Sequence, residues 1–432
     1  MNLRIIFYYS LVGLFSPLSM LLLGLRNSNF DYKRWALILF VTFYGSVIFL
    51  SDTNDGFRHQ QNVYNTYGNM DLGEFFSTTW DIVSFKAVEG TKGDLFIHFI
   101  SFFVGSILKA PKLFFVFVSF VYGYFYAGSI MLVARHYVVS KYSRLLFSLF
   151  ALFVLWKNIE GVNTVRTWTG LWVLFYAVSH YILYRKKRYL FLMFAPPYIH
   201  FSYFLMAVPA WFVVFFQRYV TQVGFVVVFA LSFLFSFNAS KAVEYVESTE
   251  LGQTRRGYVL DETNVTFIEK RQETNERRMK GSWYQQLNQK GFHKIGFFII
   301  VIAAFFFATK SQSNFFEFTL LNVGMMNIAL ANYLSFIFAV YTRSAIIGEV
   351  FVLAFVVVYL SKILRVKETN QARIFKRMLL IAFLFFIPFI FYKIADMIYY
   401  ISIFVVAFPF IPWLESTLNV SIREFFGYFL PN

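Results

Sequence analysis

The stretch EGVNTVRTWTG, residues 160–170, lies between two apolar runs at residues 145–156 and 171–184. Apolar runs that recur along a chain are typical of helices that cross a membrane. Arg166 stands between these two runs, and a charge in or beside a bilayer costs at least ~2.5 kcal/mol unless it is paired or functional. The stretch therefore predicts a membrane-embedded fold in which Arg166 has either a partner or a task.

The composition also indicates a multi-pass membrane protein. Of the 432 residues, 58% are hydrophobic and only 14% are charged, whereas soluble domains contain about 25% charged residues. Cys is absent, which excludes disulfides and thiolate chemistry. The formal charge of +16 is explained by Lys and Arg in cytoplasmic loops that face anionic headgroups, so no nucleic-acid partner is expected.

The apolar runs predict one all-α transmembrane domain over residues 1–432, with roughly 11–13 transmembrane segments of about 20 residues, some of them broken or re-entrant. The first run has no small-residue cleavage site after it, so a retained helix is expected rather than a signal peptide. The runs lie at about residues 3–24, 35–50, 95–108, 113–134, 145–157, 165–184, 189–216, 219–238, 293–309, 317–341, 345–361 and 378–414.

Three short basic segments predict the orientation of the chain: residues 26–34, 185–188 and 362–377. Lys and Arg accumulate in cytoplasmic loops, so all three segments are expected on the cytoplasmic side. The stretch around Arg166 then faces the other side of the membrane. The two longest polar stretches, 51–94 and 239–292, are expected to be exoplasmic loops.

Two regions need a break for this orientation to hold. Pro196 and Pro197 interrupt the run 189–216, and a helix cannot continue cleanly through such a pair. A hairpin that returns to the cytoplasm at Arg218 raises His200 towards the exoplasmic face. Residues 95–157 contain three apolar runs, and one of these is expected to be re-entrant or to lie along the surface.

The first polar loop begins with SDTNDGFRHQQNVYNTY, residues 51–67. Its residue types offer a base in Asp52 or Asp55, a phosphate clamp in Arg58 and a sugar-stacking ring in Tyr64. The alternative is an ordinary interfacial loop whose tyrosines anchor it at the headgroups.

Arg166 suits a phosphate or pyrophosphate, because its planar guanidinium binds such groups through two parallel hydrogen bonds. The neighbouring Asn163 favours a functional site. The alternatives are an Arg that extends to lipid phosphate and an Arg paired with Glu160.

His200 and Ser202 follow the proline break in APPYIHFSY, residues 195–203. Irregular backbone is tolerated at membrane depth only where it lines a buried or wet cavity, and a histidine there is a candidate acid, base or phosphate donor. The alternative is a hydrogen-bonded core histidine.

Other polar features and absent motifs bound the chemistry. Asn322, Asn327 and Ser335 are interpreted as contacts between membrane helices, and Arg343 follows them. The loop 239–292 fits either a lid that contacts sugar or a plain solvated loop. The sequence has no Walker loop, no HExxH or His/Cys cluster and no GxSxG elbow, so neither ATP, a metal nor a serine nucleophile is expected.

These stretches resemble the EpsG family of Wzy-type polysaccharide polymerases, which make O-antigen and exopolysaccharide. Members show an Asp-rich loop with a following Tyr, then Asn-x-x-Arg at the start of a helix, a basic turn, and His-x-Ser in a broken apolar segment. Thr167 stands where many members have Gln, so a role that depends on Gln is not carried over. The matching residues are Asp52, Asp55 and Tyr64, then Asn163 and Arg166, residues 185–188, and His200 and Ser202, over about residues 30–215, with a less specific match at residues 327–343.

The resemblance implies a GT-C-like glycosyltransferase of the bacterial inner membrane. Such an enzyme joins oligosaccharide repeat units carried on undecaprenyl pyrophosphate at the periplasmic face, without a cofactor. Membrane lipid and a chain-length regulator protein are the further partners implied. The expected roles are pyrophosphate binding by Arg166 and Arg58, a base in Asp55 or His200 oriented by Asp52, and substrate binding by Tyr64, Asn163, Ser202 and Arg343.

Two rival functions remain open from the sequence. A transporter (flippase) of lipid-linked saccharide would favour internal repeats with a site near mid-membrane, and no convincing repeat is present. A lipid-linked saccharide ligase would use the same carrier at the same face, and the sequence barely separates it from a polymerase.

Overall fold

The computed structural model describes residues 3–50, 55–84, 94–138, 143–236, 281–308, 315–365, 369–415 and 418–428. This part of the chain is helical and carries one isolated β-bridge, between Ser402 and Ser421. The α-helices are α1 Leu3–Phe15, α2 Pro17–Arg26, α3 Phe30–Ser46, α4 Asp55–Asn62, α5 Leu72–Val83, α6 Leu95–Phe102, α7 Phe114–Val138, α8 Arg144–Trp156, α9 Thr167–Tyr184, α10 Lys187–Leu192, α11 Pro196–Ile199, α12 Tyr203–Met206, α13 Val208–Phe216, α14 Gln222–Leu231, α15 Trp283–Gln289, α16 Phe292–Ala308, α17 Phe315–Tyr333, α18 Phe338–Ile363, α19 Asn370–Tyr400, α20 Ile411–Leu414 and α21 Ile422–Gly427.

Four helical segments of the described chain are long and apolar enough to cross a membrane: Pro111–His136, Arg144–Thr164, Phe338–Ile363 and Asn370–Tyr400. The pair Trp283–Gln289 and Phe292–Phe307, bent by 55°, makes five when it is counted as one span. The sequence predicted roughly 11–13 spans of about 20 residues. Apolar runs overstate the number of long helices because several of them are broken within their length.

Two of these breaks follow from proline. The first run is divided into α1 and α2 at Ser16, whose hydroxyl caps α2 directly before Pro17. The run 189–216 consists of four short helices, α10 to α13, with Pro196 and Pro197 at the start of α11. Proline fits the first helical turn and disfavours a helix interior, which explains why new helices begin at Pro17 and Pro196.

Two other boundaries differ from the predicted spans. The run 378–414 ends as a helix at Tyr400, and irregular chain with short helical turns follows. The break predicted near Arg343 lies instead at residues 334–337, and α18 runs on from Phe338 to Ile363. Arg343 is therefore inside a long helix, where its guanidinium lies 2.9 Å from Nε2 of His200 on another segment.

The predicted basic segments come together at one end of the bundle, here called the basic end. Arg135 of α7 lies 3.4 Å from Asp31 of α3, and the backbone carbonyl of His136 accepts a hydrogen bond from Arg365 at 2.9 Å. The guanidinium of Arg185 lies 4.8 Å from the ring centre of Phe315, at the start of α17. The end of α9 and the end of α18 therefore share this end of the molecule.

The opposite end, here called the site end, carries a second group of charged residues. Arg343 and Lys362 are both on α18 and are 19 residues apart, which corresponds to about 28 Å at a rise of ~1.5 Å per residue. Arg166 precedes α9, whose other end carries Arg185. Lys393 lies near the end of α19, the helix that begins beside the basic segment.

The chain from α10 to α13 forms a hairpin whose tip is His200. It starts beside Arg185 at the basic end, and Tyr203 after the tip donates a hydrogen bond to the carbonyl of Thr167 at 2.6 Å. After the second leg, Gln217 accepts a hydrogen bond from Thr319 at 2.8 Å, and Thr319 is on the first turns of α17 at the basic end. The first leg therefore starts at the basic end, and the second leg returns to it.

Residues 95–107, α6 and a following π-helical turn, do not run the length of the bundle. The segment begins at Asp94 at the site end, and at its end Ser106 contacts the carbonyl of Tyr67. Chain reversal at Lys109, which has a φ of 50°, leads into α7, and α7 then runs to the basic end. Both ends of 95–107 therefore lie away from the basic end.

Close packing of α17 against α18 depends on two glycines. A Cβ atom added at Gly348 would lie 2.5 Å from the carbonyl oxygen of Gly324, and one added at Gly324 would lie 2.6 Å from the side chain of Val352. Small residues allow membrane helices to approach this closely. This contact fixes α18, and with it Arg343, relative to the rest of the bundle.

Candidate functional site

Asp94 is the centre of a buried ionic network at the site end. It is the residue before α6, and it is 3% exposed. One carboxylate oxygen, Oδ1, accepts a hydrogen bond from the backbone N–H of Phe201 at 2.7 Å. The other, Oδ2, pairs with the guanidinium of Arg166 and lies 3.5 Å from Nδ1 of His200.

His200 connects this carboxylate to a second guanidinium. Its Nε2 lies 2.9 Å from Nη1 of Arg343. A guanidinium only donates hydrogen bonds, so Nε2 must accept and a neutral ring carries its proton on Nδ1, facing Asp94. Arg166, Asp94, His200 and Arg343 thus form one network, called the aspartate bridge below.

The electrostatics of the bridge fix its protonation. Burial, assisted by the charges of Arg166 and Arg343, lowers the pKa of His200 to about 4. Burial alone would raise the pKa of Asp94, but the contact with His200 and the charge of Arg166 hold it below its ordinary value. At neutral pH the bridge therefore contains two guanidinium cations, one carboxylate and one neutral imidazole.

Arg166 keeps hydrogen-bonding capacity beyond this pair. Its guanidinium has five N–H donors, and among the described residues it contacts Asp94 through Nη1. Its side chain is 15% exposed. An anion that reached Arg166 would therefore meet free donors and an excess of positive charge.

The predicted site residues lie in three places. Arg166, His200 and Arg343 join the bridge, and the hydroxyl of Ser202 is buried beside His200 without a partner among the described residues. Asp55 and Arg58 form an ion pair on the exposed side of α4, with side chains 47% and 63% exposed. Tyr64 is also exposed, on the π-helical turn after α4, and Asp52 lies outside the described residues.

Asn163 connects α4 to a cavity beside the bridge. A Cβ atom added at Gly56 of α4 would lie 2.3 Å from Oδ1 of Asn163, so α4 packs directly against the short 3-10 helix Ile159–Thr164. Asn163 also lines a cavity of about 170 Å³, together with Lys157, Glu160, Trp168 and Lys393. Arg166, His200 and Arg343 are not among its lining residues.

Glu160 is paired with a lysine in this cavity. Nζ of Lys393 lies 3.4 Å from Oε2 of Glu160 and 3.2 Å from Oδ2 of Asp396. The predicted alternative, a pair between Arg166 and Glu160, is therefore wrong, since each residue has another partner. Lys157 lies with its Nζ 4.0 Å from the ring centre of Trp168.

Sequence reasoning missed Asp94, Lys393 and Asp396. A signal for Asp94 was present, because Asp directly before an apolar run is typical of a helix N-cap, and LFIHF follows it. Lys393 and Asp396 are three residues apart, the spacing of neighbours on a helix, but both fall inside the run 378–414. The described residues include no group of three His, Asp or Glu placed to hold a metal ion.

A scan against protein-family models found no match, and searches of curated proteins and of solved structures found no similar protein. The site is therefore interpreted from its chemistry. A cationic network with free guanidinium donors suits a phosphate or pyrophosphate, and the neighbouring cavity offers both hydrogen-bond donors and acceptors.

Proposed function

We propose that this chain is a membrane glycosyltransferase that polymerises oligosaccharide repeat units carried on undecaprenyl pyrophosphate. The reaction takes place at the periplasmic face of a bacterial inner membrane. The observation that carries the proposal is the aspartate bridge, in which the hairpin tip, the start of α9 and the second turn of α18 bring His200, Arg166 and Arg343 together. The resemblance of the corresponding stretches to Wzy-type polymerases supports the same activity.

The two guanidinium groups suit the leaving group of such a transfer. As the sugar leaves its lipid carrier, negative charge develops on the pyrophosphate, and fixed donors in a site of low dielectric stabilise that charge. Removal of one such donor typically costs ~100-fold to ~1,000-fold in turnover. Arg166 is the better placed of the two, because its donors are not exhausted by Asp94.

The position of the bridge supports a transferase over a transporter. Transporter sites typically lie near mid-membrane between repeats. Here the charged groups are at helix ends: Asp94 precedes α6, Arg166 precedes α9, and Arg343 is in the second turn of α18. This arrangement suits a headgroup at one surface of the bilayer.

The proposal is tested with purified protein in lipid nanodiscs and an undecaprenyl-pyrophosphate oligosaccharide as the substrate. Wild-type protein is expected to produce a ladder of products that differ by one repeat unit and to release undecaprenyl pyrophosphate. Transfer of a single unit to another lipid, without a ladder, would instead identify a ligase. Movement of intact substrate across proteoliposomes without any chemistry would identify a transporter, and either result contradicts the proposal.

A further inference from the structure

Two cavities adjoin each other at the site end, next to the end of α19. The first is the cavity of about 170 Å³ lined by Glu160 and Lys393, and the second, of about 240 Å³, is lined by Tyr284, Asn288 and Asp396. Tyr400 lines both of them. The ion pair between Lys393 and Asp396, at 3.2 Å, links the wall of one to the wall of the other.

Residues that line the two cavities carry buried polar atoms that have no partner among the described residues. In the first they are Nδ2 of Asn158, Oε1 of Glu160 and Oδ1 of Asn163, and in the second Oδ1 of Asn288. Asn158 is only 5% exposed. A buried polar group left without a partner costs about 1–3 kcal/mol, so a ligand that supplied both donors and acceptors would relieve this cost at several positions.

The charge of the cavities differs from that of the aspartate bridge. Lys157 and Lys393 are balanced by Glu160 and Asp396, and tyrosines and amides make up much of the second cavity. A balanced, mixed set of donors and acceptors does not select a phosphate. Hydroxyl groups, each of which donates and accepts, match it better.

The size of the cavities limits the ligand further. Each is larger than the ~30 Å³ that one water occupies, and each is smaller than the ~300–1,000 Å³ of a pocket for a drug-sized molecule. A single sugar ring falls between these limits. Two adjoining cavities therefore suit two consecutive sugars of an oligosaccharide.

We propose that the two cavities bind the end of the incoming repeat unit, the acceptor, and that Glu160 is the catalytic base. This assignment rests on the proposed function. Of the bases expected from the sequence, Asp55 is paired with Arg58 and exposed, and Nε2 of His200 accepts from Arg343. Glu160 offers a buried carboxylate oxygen, Oε1, that has no partner among the described residues, while Lys393 holds Oε2 at 3.4 Å.

The transfer step balances with these groups alone. The acceptor hydroxyl oxygen forms a bond to the anomeric carbon of the donor sugar, and its proton passes to Oε1 of Glu160. The bond between that carbon and the pyrophosphate oxygen breaks, and its electron pair leaves with the lipid pyrophosphate. When Glu160 becomes neutral, Lys393 remains paired with Asp396. The 3-10 helix that carries Glu160 ends two residues before Arg166, so base and leaving-group site follow each other along one segment.

The saccharide cavities are tested first, without any reaction. Methyl glycosides of common hexoses and N-acetylhexosamines are offered to the purified wild-type protein, and binding is measured by saturation-transfer NMR. At least one glycoside is expected to bind. Asn158→Asp retains the Oδ1 atom that accepts from the backbone of Glu160 at 3.0 Å but replaces the unpartnered donor, and it is expected to weaken binding at least tenfold.

Asn27→Asp is the matched control, because Asn27 also accepts from a nearby backbone N–H, that of Asn29 at 2.9 Å, and lies directly after α2, away from the lining of both cavities. It is expected to leave glycoside binding unchanged. If wild type binds no glycoside of the panel, or if Asn158→Asp binds as wild type does, the proposal that the two cavities bind saccharide is overturned.

The base is tested with Glu160→Gln, which keeps the shape of the side chain and cannot take up a proton. Turnover is expected to fall at least ~100-fold, the usual contribution of a general base, while glycoside affinity stays within about threefold. The rate should also lose the decrease at acidic pH that protonation of a base produces. Glu317→Gln is the matched control, because it removes a buried carboxylate 3.3 Å from Lys362 at the basic end, and it is expected to retain turnover.

Two results separate the proposal for Glu160 from the proposed function. If Glu160→Gln loses glycoside binding and turnover in parallel, Glu160 contributes to saccharide binding only, and its role as base is overturned. If the wild-type protein binds a glycoside but polymerises nothing, the proposed function is contradicted. The proposal that the two cavities bind saccharide is not affected by that result. If Glu160→Gln does not fold, Glu160→Gln with Lys393→Met removes both charges of the pair, and the same loss of turnover is expected.

Discussion

Arg166 and Asp94 are 72 residues apart in the sequence and form an ion pair whose side chains are only 15% and 1% exposed. Such a pair holds the start of α6 against the start of α9. The same carboxylate binds the backbone of Phe201 at the hairpin tip. One acidic residue therefore positions three segments of the chain.

Asp94→Asn is expected to destabilise the protein, because it leaves the buried Arg166 without its counter-charge. Removal of one partner of a buried pair costs about 3–5 kcal/mol. Thermal unfolding of the purified protein measures the effect. Asp31→Asn is the control, since Asp31 pairs with Arg135 at 3.4 Å with both side chains more than half exposed, where about 0–1 kcal/mol is expected. Equal losses of stability in the two variants would show that burial does not increase the contribution of the pair between Arg166 and Asp94 to stability.

Arg166→Lys is expected to reduce polymer yield and length although the positive charge is retained. A lysine ammonium cannot form two parallel hydrogen bonds to a pyrophosphate, and a loss of ~10-fold or more is expected from the weaker stabilisation of the leaving group. The measurement is the ladder assay at equal amounts of folded protein. Arg135→Lys, at the basic end, is the control. Normal polymer from Arg166→Lys would count against the pyrophosphate role.

His200 gives a pH dependence to stability. Its pKa falls from 6.5 in the unfolded chain to about 4 in the folded protein, so the folded state favours the neutral ring. The stabilisation is complete above pH ~6.5, decreases as the pH falls from 6.5 towards 4, and changes no further below that. Its full size is roughly 3 kcal/mol at ~1.4 kcal/mol per pKa unit.

The check compares thermal unfolding at pH 7.5 and pH 5 for wild type and for His200→Gln. Wild type is expected to lose more stability over this range, because a buried ring beside Arg166 and Arg343 must become charged, and the carboxylate of Asp94 offsets this cost only in part. The contribution of Asp94 appears at lower pH, since its pKa is below 3.8 and its stabilisation is lost only as the pH falls below that value. An unchanged pH dependence in His200→Gln would contradict this account.

Gly348→Ala is expected to destabilise the contact between α17 and α18. The new methyl group would lie 2.5 Å from the carbonyl oxygen of Gly324, and backbone atoms cannot move aside as a flexible side chain can. Overpacking of this kind typically costs about 1–3 kcal/mol. Gly427→Ala is the control, because a Cβ atom there meets nothing within 4 Å. The temperature of thermal unfolding should fall for Gly348→Ala and should stay unchanged or rise for Gly427→Ala.

Single introduced cysteines test the proposed orientation, because the chain contains no Cys of its own. Tyr64→Cys and Trp283→Cys, at positions 42% and 53% exposed, should react with a membrane-impermeant maleimide added from the periplasmic side. Lys187→Cys, beside the basic end, should react only after the membrane is opened. The reverse pattern would invert the orientation and remove the reaction from the periplasmic face.

Much of the candidate site could be predicted from local sequence, but its centre could not. Arg166, His200 and Arg343 stand out because each is polar or charged within apolar surroundings. Asp94 does not stand out, because it ends a long polar stretch, and the pairing that gives it meaning is made only in three dimensions. Glu160 was noticed as a possible partner for Arg166, whereas its actual partner, Lys393, lies 233 residues further on.

The helix pattern shows the same limit. The sequence indicates where apolar runs begin and end, and proline indicates the hairpin at 196–197. The apolar runs 317–341 and 345–361 left Arg343 in the gap between them, but α18 continues through this position and His200 accepts a hydrogen bond from the guanidinium. A residue's charge predicts a break only when the folded chain provides no partner for it.

Val165 lies between the 3-10 helix that carries Glu160 and the residue Arg166 of the aspartate bridge. Its φ of 57° is uncommon for a β-branched residue. The chain turns sharply at this position, and the backbone N–H of Arg166 donates a hydrogen bond to the carbonyl of Thr164 at 2.6 Å. Only this residue separates the segment that carries Glu160 from Arg166, and its backbone is strained. Glycine adopts a positive φ without this strain, so Val165→Gly is expected to let these two side chains move more independently of each other.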